Sequence, residues 1–236
     1  MQRPQVILNF AMTLDGKVST ARYTPSGFTS PLDKHRLLEI RSLGDALMVG
    51  RNTLQIDRMS MGLPDEELRK ARVKRGQSEY PIRVVISNSG ELDMNLNIFK
   101  HRFSPIVIYS TTSMPEHKQT ELREKAELNL STQERVSIEE VLNDLYERYQ
   151  VRTLVCEGGP QLAQTLAELD AVDELFITVA PILFGGTRAP GLLGASASYL
   201  PSSRMYRLES MKIEGDECYL HYLSDREPCT TPTRLS

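Results

Sequence analysis

The chain has few cysteines, little net charge and no long apolar run, and each absence excludes a class of protein. The three cysteines, Cys156, Cys218 and Cys229, are odd in number and lack metal-ligand spacing. This usage is typical of reduced thiols in a reducing compartment. A net charge of −3 without a basic run gives no reason to expect nucleic-acid binding. No apolar stretch approaches membrane-spanning length, so no membrane association is expected.

The remaining bulk properties are those of an ordinary globular protein. The 236 residues, 40% hydrophobic and 25% charged, are sufficient for one large domain. Residues 1–4 lead directly into a strand-like segment, so we expect no signal peptide and a cytoplasmic protein. The histidines show no metal-binding pattern, so no metal is expected; they are His35, His101, His117 and His221.

Strand-like and helix-like segments alternate along the chain. Strands are predicted at residues 6–10, 45–50, 82–87, 105–110, 127–130, 153–156 and 174–186. Helices are predicted at residues 31–43, 65–74, 137–149 and 161–169. Alternating segments at 204–214 and 217–223 flank Gly215-Asp216, which is a hairpin signal. This order predicts an α/β fold with a mainly parallel central sheet, flanking helices and a C-terminal antiparallel hairpin. We expect one domain over residues 1–225 and a polar tail over residues 226–236.

The most informative segment is Glu157-Gly158-Gly159-Pro160, which lies between an apolar strand and a helix. Glycine allows close backbone approach to a ligand, and a helix N-terminus offers N–H groups to an anion. Pro160 suits the first helical position, and Glu157 follows the strand where ligands of α/β sheets bind. The segment therefore favours a phosphate cradle. A tight strand–helix turn without a ligand is the alternative, and the motif alone does not decide between them.

A second candidate segment, residues 9–17, follows the first strand and ends in Asp15-Gly16-Lys17. A lysine at this place can contact a phosphate or a polar group of a substrate as a compact charge. The alternative is that Asp15-Gly16 forms only a turn and that Lys17 is solvated.

Five segments occur together in one order, at residues 11–17, 45–54, 83–87, 157–162 and 180–186. They read Ala-Met-Thr-Leu-Asp-Gly-Lys, Asp-Ala-Leu-Met-Val-Gly-Arg-Asn-Thr-Leu, Arg-Val-Val-Ile-Ser, Glu-Gly-Gly-Pro-Gln-Leu and Ala-Pro-Ile-Leu-Phe-Gly-Gly. From residue 5 to residue 223 the chain thereby resembles the pyrimidine reductase of riboflavin biosynthesis. The resemblance implies a dihydrofolate-reductase-like fold, NADPH as cofactor, a phosphorylated pyrimidine substrate and a homodimer. The zinc signature of the deaminase often fused to this reductase is absent, so the chain resembles the reductase half alone.

The resemblance also implies roles for individual residues. Lys17 and Glu157 match catalytic, substrate-bordering positions, and Arg41 matches a substrate-contacting arginine. The positions that match cofactor contacts are Ala11, Thr53, Asp57, Ser87, Asn88, Gly158, Gly159, Pro160, Gln161 and Leu162. Structural alternatives exist for several: Arg41 complementing a helix dipole, Thr53 and Asp57 capping a helix, and Glu157 as a solvated strand-end carboxylate.

The chain departs from the family pattern after Asp57. In residues 58–64, the arginine that holds substrate phosphate in the family is missing from its expected position. Arg58, Arg69 and Arg72 are candidate substitutes, and Phe28 is the nearest candidate for an aromatic residue beside the nicotinamide.

The implied reaction is hydride transfer from NADPH to C1′ of a phosphoribosylamino-pyrimidine, either the uracil or its undeaminated precursor. Reduction of a pterin or another heterocycle is an alternative. So is a non-catalytic nucleotide-binding module.

Overall fold

The computed structural model describes residues 2–20, 22, 27–194 and 200–226. The strands are β1 (Gln5–Thr13), β2 (Ala46–Gly50), β3 (Ile82–Ile86), β4 (Ile106–Thr111), β5 (Glu127–Ser131), β6 (Thr153–Cys156), β7 (Glu174–Ala180), β8 (Tyr206–Glu214) and β9 (Glu217–Ser224). The helices are α1 (Pro31–Leu43), α2 (Arg51–Asp57), α3 (Glu66–Lys74), α4 (Asn97–Lys100), α5 (Glu116–Arg123), α6 (Ile138–Glu147) and α7 (Pro160–Glu168).

All nine strands form one sheet in the order β5-β4-β3-β2-β6-β1-β7-β9-β8. The first seven of these are parallel, and β9 pairs antiparallel with both β7 and β8. The expected α/β architecture, with a mainly parallel sheet and a C-terminal antiparallel hairpin, is confirmed. Because the parallel strands point the same way, their carboxyl ends share one edge, called here the carboxyl edge, and their starts share the amino edge.

The central strands β2, β3, β4 and β6 are buried on both faces, as their near-continuous apolar sequences require, whereas most residues of the outer strand β8 are exposed. Successive side chains of strand β1 point to opposite faces of the sheet: Val6 and Leu8 pack into one apolar cluster, whereas Ile7 packs into the other. Helices α6 and α7 supply side chains to the first cluster, and α1 and α2 supply Ile40 and Leu54 to the second. The two layers hold the strand ends in fixed positions for the loops at the carboxyl edge.

Two predicted helix starts are confirmed in detail. Ser30 caps α1 by accepting a hydrogen bond from the Asp33 N–H, and Ser137 caps α6 in the same way from Glu140. Each cap satisfies one of the N–H groups that a helix start leaves without a partner.

The predicted extension of the strand over residues 181–186 is wrong. Strand β7 ends at Ala180, because Asp15 accepts hydrogen bonds from the Phe184 and Gly185 N–H groups and holds this segment as a loop. Three short helices, α2, α4 and α5, were not predicted. They have seven, four and eight residues, too few for a clear apolar stripe. Residues 227–236 of the predicted tail, with Cys229, lie outside the described residues.

Candidate active site

The turn after β6 is hydrogen-bonded to β2 at the carboxyl edge. The Glu157 N–H donates to the Met48 carbonyl at 3.0 Å, and the Gly50 N–H donates to the Gly158 carbonyl at 3.0 Å. Gly158 has a φ of +110°, which favours glycine, and its peptide bond to Gly159 is cis. These bonds place Glu157 and the two glycines beside the start of α2.

The glycine turn leads into α7 without a side-chain cap. Gly159 is the N-cap residue, and Pro160 occupies the first turn, as predicted. Among the described residues, no side chain caps the N–H groups of the first turn, which begins at Pro160 and includes Gln161 and Leu162. These groups and the positive end of the helix dipole can therefore face an anion.

Thr53 closes the other side of this turn. A Cβ atom at Gly159 would lie 2.7 Å from the Thr53 Oγ1, and one at Gly158 would lie 3.4 Å from the Phe10 ring. A side chain at Gly159 therefore has no space. Thr53 lies within α2, whose N-cap is Gly50, and Asp57 is the last residue of the same helix. Neither residue caps the start of α2, so the capping alternative is wrong for that helix.

Arg41 and Glu157 form a buried ion pair, although 116 residues separate them. The Arg41 Nε donates to Glu157 Oε1 at 2.5 Å and a terminal N–H donates to Oε2 at 2.7 Å. A further Arg41 N–H donates to the Gly62 carbonyl at 3.0 Å. The two side chains are 9% and 4% exposed. Burial disfavours the guanidinium charge, but the attraction of Glu157 and its hydrogen bonds raise the pKa of Arg41 above its usual range.

This pair bears on two structural alternatives. Arg41 does lie in the last turn of α1, but its guanidinium is directed to Glu157. Glu157 is a buried, paired carboxylate and is not solvated at the strand end. A bidentate pair uses only part of the acceptor capacity of a carboxylate, which has about four lone-pair sites. Glu157 therefore retains capacity to accept a hydrogen bond from a substrate.

The N-terminal segment forms a turn that is fixed to the loop after β7. The Asp15 carboxylate accepts from the Thr13 hydroxyl at 2.6 Å and from the Gly185 N–H at 2.8 Å. The hydrogen bond from Thr13, together with those from the loop, lowers the pKa of Asp15 to about 2. Asp15-Gly16 is thus a turn, as the alternative expected, but it is tied to a second loop.

Lys17 lies between this turn and the loop. Its backbone forms a bridge with Gly191, and its N–H donates to the Thr13 hydroxyl at 2.9 Å. Its side chain is half-buried, and its ammonium has no ion-pair partner among residues 2–20, 22, 27–194 and 200–226. Ala11 lies on β1, six residues before Lys17, and pairs with Thr178 of β7. A half-buried cation with no partner at the carboxyl edge is suited to an anionic or polar ligand.

Ser87 and Asn88 follow β3 at the same edge, and both contribute to the local turn. The Ser87 hydroxyl accepts from the Gly90 N–H at 3.0 Å. The Asn88 side-chain oxygen accepts from the Val136 N–H at 2.9 Å, while Asn88 itself is exposed. Arg51, which was not predicted as a site residue, donates to the Ser89 hydroxyl at 2.9 Å next to this turn. Its position directly after the terminal glycine of β2 is the signal that could have indicated it.

The structure separates the three arginines considered as phosphate ligands. Arg72 is fully buried and donates to the Ser42 and Gly44 carbonyls below α1. Arg69 donates to the backbone of residues 63 and 64 and pairs with Glu79. Only Arg58 of the three is exposed, at the end of α2, with a φ of +46°.

Phe28, the candidate aromatic residue, packs edge-on against Phe184 with ring centroids 5.1 Å apart. It therefore packs on the loop after β7, whose N–H groups donate to Asp15. In the described part of the chain, no cluster of three or more metal-ligating side chains occurs, and no helix has the length and apolarity to cross a membrane.

The fold and the site define an α/β protein with its candidate site at the carboxyl edge of a parallel sheet, where a glycine turn opens a helix. Residues 4–221 match the RibD C-terminal domain family, so the chain belongs to that family.

Comparison with curated proteins gives relatives named 2,5-diamino-6-ribosylamino-4(3H)-pyrimidinone 5′-phosphate reductase. The Methanothermobacter thermautotrophicus protein is 34% identical over 93% of this chain and 98% of its own length. The Archaeoglobus fulgidus protein is 31% identical over 88% of this chain and 93% of its own.

Solved structures show the same fold. A pyrimidine reductase-like protein from Corynebacterium diphtheriae has a TM-score of 0.81 at 18% identity, covering 95% of this chain and 93% of its own. A deaminase/reductase from Thermotoga maritima has a TM-score of 0.73 at 21% identity. The match covers 94% of this chain but only 57% of the Thermotoga protein. The shared fold therefore corresponds to part of the bifunctional protein.

Proposed function

We propose that this protein is an NADPH-dependent reductase that converts a phosphoribosylamino-pyrimidine into its ribitylamino product in riboflavin biosynthesis. Family membership and the curated relatives named as reductases support the activity. The undeaminated diamino-pyrimidinone is the favoured substrate. Two relatives are named as reductases of this compound, and this chain matches 93% and 98% of their lengths. The deaminated compound, 5-amino-6-(5-phosphoribosylamino)uracil, is the second candidate.

The observation that carries the proposal is the side-chain-free cradle at the start of α7. The N-cap residue is Gly159, which has no side chain to cap the first-turn N–H groups, so these groups and the positive end of the helix dipole can bind an anion such as a pyrophosphate. We assign the cofactor's pyrophosphate to residues 158–162. Its nicotinamide part is assigned to Ala11, and its remaining contacts to Thr53, Asp57, Ser87 and Asn88. NADPH bound there supplies the hydride, while the protein orients the reactants and excludes water.

The side chains near the cradle position the substrate. Lys17, whose ammonium has no ion-pair partner in the described part of the chain, can contact the sugar or its phosphate. The Arg41–Glu157 pair presents a fixed carboxylate beside the glycine turn, able to accept a hydrogen bond from a hydroxyl or amino group of the substrate. The exposed Arg58 is the remaining candidate among the three arginines for the phosphate.

The test is NADPH oxidation by the purified protein with each of the two pyrimidines. We expect phosphate-dependent turnover, faster with the undeaminated compound. Lys17→Ala should reduce turnover strongly and leave NADPH binding nearly unchanged, since Lys17 faces the substrate. NADPH binding without turnover of either pyrimidine would contradict the proposed reaction.

The cradle is tested separately by Gly159→Val, which should abolish NADPH binding because the new side chain collides with Thr53. Gly27→Ala is the matched control, since a Cβ at Gly27 meets no atom within 4 Å. Normal NADPH titration of Gly159→Val would contradict the cradle assignment.

We also propose a homodimer, formed through the outer hairpin of β8 and β9. Leu208, Met211 and Ile213 are 47%, 59% and 63% exposed. They pair with Tyr222, Leu220 and Cys218, so the six side chains share one face. Such an apolar face is suited to a second copy. Met211→Glu with Ile213→Glu should give a monomer in sedimentation, whereas Lys212→Glu on the opposite face should not. A wild-type monomer would contradict the dimer.

A further inference from the structure

A cavity of about 430 Å³ opens at the amino edge of the sheet, away from the candidate active site. It is lined by Arg83 near the start of β3, by residues of the 99–106 segment and by residues 124 and 125 after α5. Arg83 and Ser87 lie four residues apart along one extended segment, so the cavity is about 13 Å from the carboxyl edge. The volume falls in the range of small-molecule sites, about 300–1,000 Å³.

Arg83 is a buried cation without a carboxylate partner in the described part of the chain. It is 0% exposed, and its N–H groups donate to the Ile98 carbonyl at 2.8 Å, the Ser104 carbonyl at 2.6 Å and the Ser104 hydroxyl at 3.1 Å. Burial lowers the pKa of Arg83 to about 10, with no neighbouring charge that raises it. A buried charge without a counter-ion is costly, so an anion close to it is stabilised.

The rim of the cavity adds two further cations. Arg102 and Lys125 are both exposed, and neither forms an ion pair within the described ranges. Among the described residues of the lining, Glu124 supplies the one carboxylate. Three cations against one carboxylate give the cavity a positive potential, which raises the local concentration of anions.

Two aromatic residues form the apolar part of the lining. Phe103 packs on the Arg83 guanidinium, 4.3 Å from ring centroid to the central carbon, and is itself only half-buried. Phe99 is buried beside it. The Phe103 ring also packs near Tyr80 and His101, with centroids 4.8 and 6.2 Å apart, so the site combines positive charge with an aromatic ring that is exposed only in part.

We propose that this cavity is a second ligand site, which binds a small organic anion that carries a planar apolar group. The anionic group lies toward Arg102 and Lys125, and the planar group packs on Phe103. This proposal does not rest on the proposed reaction, since none of the residues assigned to the cofactor or the substrate lines the cavity.

The experiment is calorimetric titration of the full chain with phenyl phosphate. We expect saturable binding in the wild type and about tenfold or greater weakening in Arg102→Ala/Lys125→Ala, because two charge-assisted contacts are lost. Arg123→Ala is the matched control: it removes an exposed cation two residues from Lys125 but outside the lining, and it should leave the affinity unchanged. Inorganic phosphate should bind more weakly than phenyl phosphate.

Three results would overturn the proposal. The first is no saturable binding to the wild type. The second is equal affinity in the wild type and Arg102→Ala/Lys125→Ala, with thermal unfolding confirming that the variant is folded. The third is loss of phenyl phosphate binding in Lys17→Ala, which would place the compound in the candidate active site. Equal affinity for inorganic phosphate would overturn the aromatic part of the site.

Discussion

Two buried arginines of the same protein, one near the carboxyl edge of the sheet and one near the amino edge, differ in the groups that accept hydrogen bonds from them. Arg41, at the carboxyl edge, is 8% exposed and pairs with Glu157. Arg83, at the amino edge, is 0% exposed and is held by backbone carbonyls and one hydroxyl. The two guanidinium pKa values shift in opposite directions: that of Arg41 is raised by Glu157, and that of Arg83 is lowered by burial.

The comparison shows that burial alone does not define the role of a charged residue. The Arg41–Glu157 pair joins α1 to the turn that opens α7, so it fixes a carboxylate where the ligand is proposed to bind. Arg83 joins β3 to the segment around Ser104 and has no carboxylate partner among the residues that the structure describes. Arg41 therefore forms a neutral pair with Glu157 at the candidate active site. Arg83 instead contributes a positive charge to the cavity at the amino edge.

The largest expected effect follows from removing Arg41. Arg41→Met leaves Glu157 buried without its counter-ion, and we expect the free energy of unfolding to fall by about 3–5 kcal/mol. Arg41→Met/Glu157→Leu should recover much of that loss, because no buried charge remains, but it should stay inactive in NADPH oxidation. Both quantities are measured by denaturant unfolding and by steady-state kinetics. Equal instability of the single and double variants would contradict the role of the unpaired carboxylate.

A smaller loss is expected at the amino edge. Arg83→Met leaves the Ile98 and Ser104 carbonyls without a donor but leaves no buried charge, so we expect a loss of about 1–3 kcal/mol in the free energy of unfolding. Denaturant unfolding beside Arg41→Met measures the difference directly. If Arg83→Met were as destabilising as Arg41→Met, the carboxylate partner of Arg41 would not explain the difference between the two arginines.

The sequence was informative where a local pattern determines the structure. Ser30 and Ser137 precede helical periodicity and cap α1 and α6. The apolar runs gave the strands, and the glycine pair before Pro160 gave the helix start at the carboxyl edge. The resemblance pointed to Arg41 and Glu157 separately, but their ion pair spans 116 residues, and no local pattern encodes it.

Other features were missed because distant contacts decide them. The segment 181–186 has the apolar content of a strand, yet Asp15 captures its N–H groups and bends it away from β7. Arg83 lies within an apolar strand pattern that gives no sign of a buried cation facing a cavity. The different contacts of Arg58, Arg69 and Arg72 likewise depend on which carbonyl groups the fold brings near each guanidinium.

Phe103 connects the cavity around Arg83 with the Arg41–Glu157 pair. This ring lies on Arg83 and also against Gly62, whose carbonyl accepts from Arg41. A Cβ at Gly62 would be 3.2 Å from the Phe103 ring and 3.3 Å from the Ser60 hydroxyl, so in Gly62→Ala these neighbours or the Gly62 backbone, with its carbonyl, must move by a few tenths of an ångström. We expect kcat to fall by about two- to tenfold, because small misplacements near a site are costly. Gly62→Ala/Phe103→Leu should recover the activity, and failure to do so would separate the two regions.

The smallest effect concerns Asp15, an exposed charge at the carboxyl edge. Its pKa is lowered to about 2 by the Thr13 hydroxyl and the loop N–H groups, against about 3.9 in an unfolded chain. A lowered pKa in the folded state means that its stabilising contribution is complete above about pH 4 and declines as the pH falls toward 2. Asp15→Asn should therefore be slightly less stable than the wild type at pH 7, with the gap closing between pH 4 and 2. Denaturant unfolding of both proteins across this range measures the gap, and a gap that stays constant down to pH 2 would show that the charge of Asp15 does not hold the loop.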